Sequence, residues 1–348
     1  MSSMNISLDG AVNGSLKALG KRKLIYVVIA LFIISALIDR SYLNSFNLNS
    51  LLTDITIIGL LALGEMLAIL SGGIDLSVGN TASAASVFVA FMMIQLEGLP
   101  PWMNLILSVL FALVFCMALG AFNGFSIAVL GIPPMIATLG GMWISKGLAY
   151  YFLDGMATPF KVSGFSALAR TKIGFLPISF LILLAIAGLV YYVLTHKRIG
   201  RAVYAIGGDR YSAQLSGINI TRTTILIYTA SALLAALGGL VLGSYTGTGY
   251  VKGANGYELW AIAAVAIGGV SMSGGTGDTW NAMLGVFVFR MIKKLMVYAN
   301  LSDRLEGLYI GILLLIALAI STSQGGGLKQ LKFLTGMHKH RSPSGNSV

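Results

Sequence analysis

The chain has 348 residues, of which 56% are hydrophobic and only 10% charged, against roughly 25% charged in soluble domains. Mean hydropathy is +0.85, and so few polar groups cannot cover a soluble surface of this size. A soluble enzyme or binding domain is excluded, and an all-α, polytopic integral membrane protein is expected. The net charge of +11 reads as an orientation signal for membrane spans, not as a nucleic-acid surface. Cys116 is the only cysteine and the three histidines lie outside the apolar runs, so neither an intrachain disulfide nor a zinc site is expected.

Crossing about 30 Å of hydrocarbon takes about 20 apolar residues. On that criterion about ten spans are expected, near 24–38, 51–70, 79–96, 103–129, 133–153, 176–195, 223–245, 258–271, 278–297 and 305–322. The first follows Lys21-Arg22-Lys23, yet no small-x-small cleavage site comes after it, so a retained span is expected. The third is rich in Ala, Ser and Thr, which predicts burial among other helices.

An even count puts both termini on one side. That side holds Lys17, Lys21, Arg22, Lys23, Lys197, Arg198, Arg201, Arg210, Arg222, Lys329, Lys332, Lys339 and Arg341. The other side holds only Arg40, Lys161, Arg170, Lys172, Lys252 and Arg304. The bias places both termini and the 196–222 connection in the cytoplasm. The expected organisation is a cytoplasmic tail (1–23), one transmembrane domain (24–322) with a coupling segment at 196–222, and a basic cytoplasmic tail (323–348).

Four motifs interrupt this pattern. Residues 71–80 (SGGIDLSVGN) do not suit a lipid-facing helix. They read either as a broken, re-entrant segment or as a tight turn in which Asp75 caps the third helix. Residues 268–277 (GGVSMSGGTG) share with them the pattern Gly-Gly-Ile/Val-x-Leu/Met-Ser-x-Gly. The unequal spacing of the two copies leaves chance glycine richness as an equal explanation. The third motif pairs GAFNGF (120–125) with GIPPMIATLG (131–140), placing proline at a helix start, where its missing N–H costs nothing. In the fourth, 200–219, Asp209 reads as an N-cap, 211–216 as a short helix and Gly217 as its left-handed end.

Four stretches together resemble a known family: GGIDLSVG, NG followed by GIPPMIATLG, Gly200-Arg201 followed by AVYAIGGDRYSAQLSGIN (202–219), and GGVSMSGGTG. The family is the permease subunit of ribose-type bacterial sugar importers of the ATP-binding-cassette class. The resemblance runs from about residue 50 to 320. It implies an inner-membrane permease paired with a second copy or a related permease around one path. A periplasmic or lipid-anchored sugar-binding protein would deliver substrate, and a cytoplasmic ATPase subunit would drive alternating access. Membrane lipid is the only other partner expected. No phosphate loop of the form G-x-x-x-x-G-K-S/T occurs, Gly14 to Lys21 coming nearest with Arg22 in the wrong place, so no cofactor is expected in this chain and ATP belongs to the partner subunit. The chain is not expected to be an enzyme.

Neutral sugars are held by amide and hydroxyl hydrogen bonds and by aromatic faces. The candidates on the substrate path are Asn80, Asn123, Phe122, Trp143 and Asp75. For coupling to the ATPase they are Arg201, Asp209, Arg210, Ala213, Leu215 and Gly217. Six charges fall within spans: Asp54, Glu65, Lys146, Arg290, Lys293 and Lys294. The basic trio shares one helix face, and is expected to snorkel or to meet an acidic delivery protein. Glu65 is expected either to pair with a residue such as Lys146 or to carry a proton. A proton-coupled secondary transporter using Asp54, Glu65 or Asp75 is the alternative reading.

Overall fold

The computed structural model describes residues 24–299 and five positions between 307 and 315. Apart from those five positions, the expected span at 305–322 and both tails, 1–23 and 323–348, lie outside the described residues.

Helix α1 (Leu24–Ile38) leads through a 3-10 turn (Arg40–Leu43) to α2 (Ser45–Leu70), α3 (Val78–Gln95), α4 (Pro101–Ala128) and α5 (Pro134–Leu153). A strap follows, made of β1 (Thr158–Pro159), a 3-10 turn (Ser163–Ser166), α6 (Ala167–Arg170), β2 (Lys172–Ile173) and β3 (Leu176–Pro177). Then come α7 (Ile178–His196), α8 (Arg198–Gly208), α9 (Arg210–Leu215), α10 (Ile220–Thr246), β4 (Thr248–Gly249), α11 (Tyr257–Ile267) and α12 (Thr279–Tyr298). Five of these helices, α2, α3, α4, α7 and α10, are long and apolar enough to cross a membrane.

The first nine expected spans coincide with these helices, most ends within a few residues. The eighth stops early, at Ile267, because Gly268 and Gly269 close the helix there. Pro101 and Pro134 each occupy a first-turn position, as their fixed φ favours.

Helices α2 and α3 form the centre. Nearly every α2 residue from Ile55 to Leu70 is buried, and α3 is buried along most of its length, as its small residues predict. Helices α4 and α7 lie outside them and expose Leu107, Leu110, Val114, Leu184 and Leu189. Glycines set the close approaches. A Cβ on Gly120 or Gly124 of α4 would strike the α10 backbone, and one on Gly239 of α10 would strike Ala82 of α3.

The connections sort into two ends, as alternating crossings require. At one end the Gly275 N–H donates to the Leu70 carbonyl at 3.0 Å, and the Tyr204 hydroxyl donates to the Gly277 carbonyl at 2.9 Å. At the other, β1 pairs antiparallel with β4, Thr158 opposite Gly249. The exposed Lys161–Glu97 ion pair (3.6 Å) and the edge-on Tyr42–Tyr298 rings (5.6 Å) also lie at that second end.

Candidate functional site

The 71–77 segment folds back into the bundle. Gly72 is left-handed (φ +83°); its N–H reaches the Ile69 carbonyl, and the Gly73 N–H reaches that of Ala68. This double closure ends α2 without orphaned carbonyls. The freed chain brings Asp75 against Ser231, eleven residues into α10, about 16 Å along its axis. The Ser231 hydroxyl donates to Asp75 Oδ2 at 2.7 Å, and the Ser77 hydroxyl and N–H donate to Oδ1 at 2.6 and 3.0 Å. The Asp75 N–H donates to Glu65 Oε1 at 3.2 Å. Asn123 Nδ2 donates to the Ser77 hydroxyl at 3.0 Å, and the Leu76 N–H to the Thr138 hydroxyl at 3.1 Å. The segment re-enters, and Asp75 makes an Asx turn with Ser77 ahead of α3; it does not cap that helix, whose N-cap position is Ser77 with no side-chain cap bond.

A second segment enters from the opposite end. After α10, residues 247–256 run back along α3: the Tyr250 N–H meets Ser86 Oγ at 3.3 Å, and the Ala254 N–H meets Ser83 Oγ at 2.9 Å. Gly79 lies against the Ala254 carbonyl and the Glu258 carboxylate, and a Cβ there would collide with both. Helix α11 therefore starts deep in the bundle, beside the first turn of α3. Around this level Asn80 Nδ2 reaches the Met142 carbonyl (3.4 Å), Thr81 faces Ser145 (3.4 Å) and Lys146 lies over the Trp143 ring (4.9 Å). The two segments leave a belt of polar groups at mid-depth, where Glu65 Oε2, Asn123 Oδ1, Tyr228 Oη and Glu258 Oε2 have no hydrogen-bond partner among the described residues. Irregular backbone at such depth is stable only when buried in protein or lining a wet cavity.

Below the belt, α8 and α9 form the third feature. Helix α8 buries Gly200, Val203 and Ile206 and exposes Arg201. The Asp209 carboxylate accepts from the Ser212 N–H at 2.6 Å and so caps α9. The hydrogen bonds from the Ser212 side chain and N–H hold the Asp209 carboxyl below the usual aspartate range. Gly217 is left-handed (φ +79°), with its own N–H on Gln214 and the Ile218 N–H on Ala213. Ala213 is buried, whereas Tyr211 and Leu215 (72% exposed) point away from the bundle.

Residues 47–318, well over half the chain, match the family described as branched-chain amino acid transport system / permease component. The chain belongs to this permease family. This permease is 33% identical over 296 residues to the ribose import permease protein of Bacillus subtilis, covering 83% of this chain and 89% of that one. It is 38% identical over 277 residues to the inner membrane ABC transporter permease protein YjfF of Escherichia coli, covering 78% and 82%. It is 32% identical over 322 residues to the L-arabinose transport system permease protein of Escherichia coli, covering 91% and 96%. No solved structure matches the permease. The YjfF relative is named as an ABC transporter permease protein, which does not favour the proton-coupled alternative.

The path candidates of the permease divide in two. Asp75, Asn80 and Asn123 are buried in or beside the polar belt, while Phe122 (51% exposed) and Trp143 (60%) face outward from α4 and α5. The coupling candidates lie together on α8, α9 and the turn that follows.

Three expectations about charge change. Arg290 does not snorkel: it is buried and pairs with Asp54 at 2.7 Å. Lys293 lies 3.6 Å over the Trp260 ring, and Lys294 is 3.5 Å from Ser50 Oγ, so the trio is spent on α2 and α11. Asp54, thus paired, is far along α2 from Glu65. Lys146 lies on Trp143 and not on Glu65, whose carboxyl meets the Asp75 N–H instead.

The two Gly-Gly motifs also align differently from their sequence pattern. The left-handed residue is the first glycine in one (Gly72) and the second in the other (Gly269), so the equivalent triplets are Ser71-Gly72-Gly73 and Gly268-Gly269-Val270. Both are helix closures, which is why both carry glycine. Sequence reasoning missed Tyr228, Ser231 and Glu258. Glu258 alone had a signal, a lone carboxylate beside an apolar run.

Proposed function

We propose that this permease imports a monosaccharide or a similar small polar solute, driven by ATP hydrolysis on a separate cassette ATPase subunit. It crosses the inner membrane ten times with both termini in the cytoplasm, so the end carrying α8 and α9 is the cytoplasmic one. A periplasmic or lipid-anchored binding protein presents the solute at the opposite end. Two permeases, identical or related, enclose the path, with the outward faces of Phe122 and Trp143 toward it and the Asn80, Asn123 and Asp75 belt behind. The sugar assignment rests on the relatives named for ribose and L-arabinose; the polar belt and exposed aromatics suit such a solute.

The observation that carries the coupling is the meeting of three backbone segments. Leu70 before the re-entrant turn, Gly207 at the end of α8, and Gly274–Gly275 after α11 touch one another without intervening side chains. A push on α9 at Arg210, Ala213 or Leu215 therefore reaches both segments that carry the Gly-Gly closures. The Arg201 and Arg210 side chains are the exposed charge partners for the ATPase.

The test is uptake by vesicles holding the permease, its ATPase and its binding protein. Uptake that needs ATP and all three components is the expected result. Uptake by the permease alone on a proton gradient would overturn the reading.

A further inference from the structure

We propose that the flank of the bundle between α4 and α7 binds one anionic phospholipid, its acyl chain in a groove floored by α2 and α10 and its phosphate beside Arg170 and Lys172. A cavity of about 300 Å³ opens there, lined by Leu60 of α2, Val109 of α4, Ile182 of α7 and Leu237 and Val241 of α10. Phe165, from the strap, also lines it. The lining is apolar throughout. Helix α4 packs on α10 and α7 packs on α2, and both α4 and α7 carry exposed apolar residues.

The depth of the groove identifies the occupant. Leu60 lies in the middle of α2 and Leu237 past the middle of α10, at a level where hydrocarbon chains are the surrounding solvent. Burial alone does not hold a lipid there, because the bilayer is as apolar as the groove. Retention comes from shape and from the headgroup.

Both are built in. Ser244 of α10 accepts from the Ala169 N–H at 3.0 Å and donates to the Phe165 carbonyl at 2.8 Å. That clamp holds the strap across the end of the groove. Arg170 and Lys172, one and three residues after Ala169, are exposed, and among the described residues neither has an acidic partner. Two cations at the mouth of an apolar slot complement a phosphate above an acyl chain.

Native mass spectrometry of the full-length permease, titrated with phosphatidylglycerol or phosphatidylcholine, tests this. One phosphatidylglycerol should be retained, favoured by about 25-fold if each of the two basic residues contributes about fivefold. Ile182→Trp and Gly164→Trp fill the groove from its rim, both positions lining it; a Cβ on Gly164 meets nothing within 4 Å, so the second change enters open space and backs up the first. Each should abolish retention of either lipid. Arg170→Gln with Lys172→Gln should erase the preference for phosphatidylglycerol and keep the weaker binding of both. Wild-type retention in a groove-filling variant would overturn the proposal. So would equal retention of the two lipids by the wild-type chain.

Discussion

Gly207, near the end of α8, lies against the carbonyl of Leu70, the last residue of α2, and no side chain fits between them. Because the obstruction is backbone, an added methyl cannot be accommodated by a rotamer change. Overpacking of this kind costs about 1–3 kcal/mol. Gly207→Ala should therefore lower the unfolding temperature in detergent and reduce ATP-driven uptake while the protein still inserts. Gly208→Ala is the control, since its Cβ meets nothing within 4 Å. Equal uptake in the two variants would show that this contact transmits nothing.

Helix α9 depends on its two ends. Gly217 at φ +79° disfavours any residue with a Cβ by roughly 1–2 kcal/mol. Gly217→Val, Leu215→Pro and Arg210→Glu are each expected to leave the permease inserted and to lower co-purification of the ATPase. Normal co-purification, uptake and stimulated ATPase activity in Leu215→Pro would reduce α9 to a loop.

The Asp209 cap also predicts a flat response to pH. A carboxyl whose folded value is lowered contributes above its unfolded value, and that contribution fades only as pH falls through the lowered one. Aspartate normally titrates near ~4, so coupling through α9 should be constant across the neutral range. A decline in stimulated ATPase activity between about pH 8 and 6 that vanishes in Asp209→Asn would contradict this cap.

The re-entrant turn is braced by Ser231 on Asp75. Ser231→Ala leaves Asp75 Oδ2 without its donor, at a cost of about 1–3 kcal/mol. Asp75→Ala should be damaging as well, and the two changes together should cost less than their sum, since they remove one shared interaction. Unfolding temperatures of the two single variants and the double variant decide it; simple additivity would mean that the two residues do not act as a pair.

The Asp54–Arg290 pair should be asymmetric. Removing one partner of a buried pair costs about 3–5 kcal/mol, because the other charge stays behind. Arg290 is the more buried of the two, its side chain 8% exposed against 25% for Asp54. Asp54→Leu should thus destabilise more than Arg290→Met, and the double change less than Asp54→Leu alone. Yield and thermal stability in detergent measure the order.

Much of this architecture was legible from spacing alone. The runs at 24–38, 79–96 and 133–153 lie within a residue of α1, α3 and α5, because Lys23, Asp39, Ser77, Glu97, Pro133 and Asp154 bound them in the sequence. The α9 caps were legible too, since Asp209 and Gly217 act on backbone close by in sequence. What stayed hidden is long-range. Nothing in the composition of α10 marks Ser231 as the partner of Asp75, 156 residues away. Nor does Arg290 announce Asp54, because a basic residue in the outer half of a span reads as a snorkelling one until a carboxylate is placed beside it. The 247–256 segment was invisible for a different reason: its inward course depends on Ser83 and Ser86, whose hydroxyls look like ordinary small residues of a membrane helix.

Helix α11, with 11 residues, covers only about 16 Å, roughly half of the ~30 Å hydrocarbon layer. Above it the chain is 247–256, where Lys252 and Asn255 are exposed; below it is 268–278, where Ser273 and Thr276 are exposed. Both stretches carry hydrophilic groups to depths that lipid tails would otherwise occupy. On the proposed reading, the belt behind the path is therefore reached by hydrophilic groups from both ends of the bundle. The apolar layer of the bundle is thinned from both ends, and what is left between them includes the close contact of Gly79 with Ala254 and Glu258.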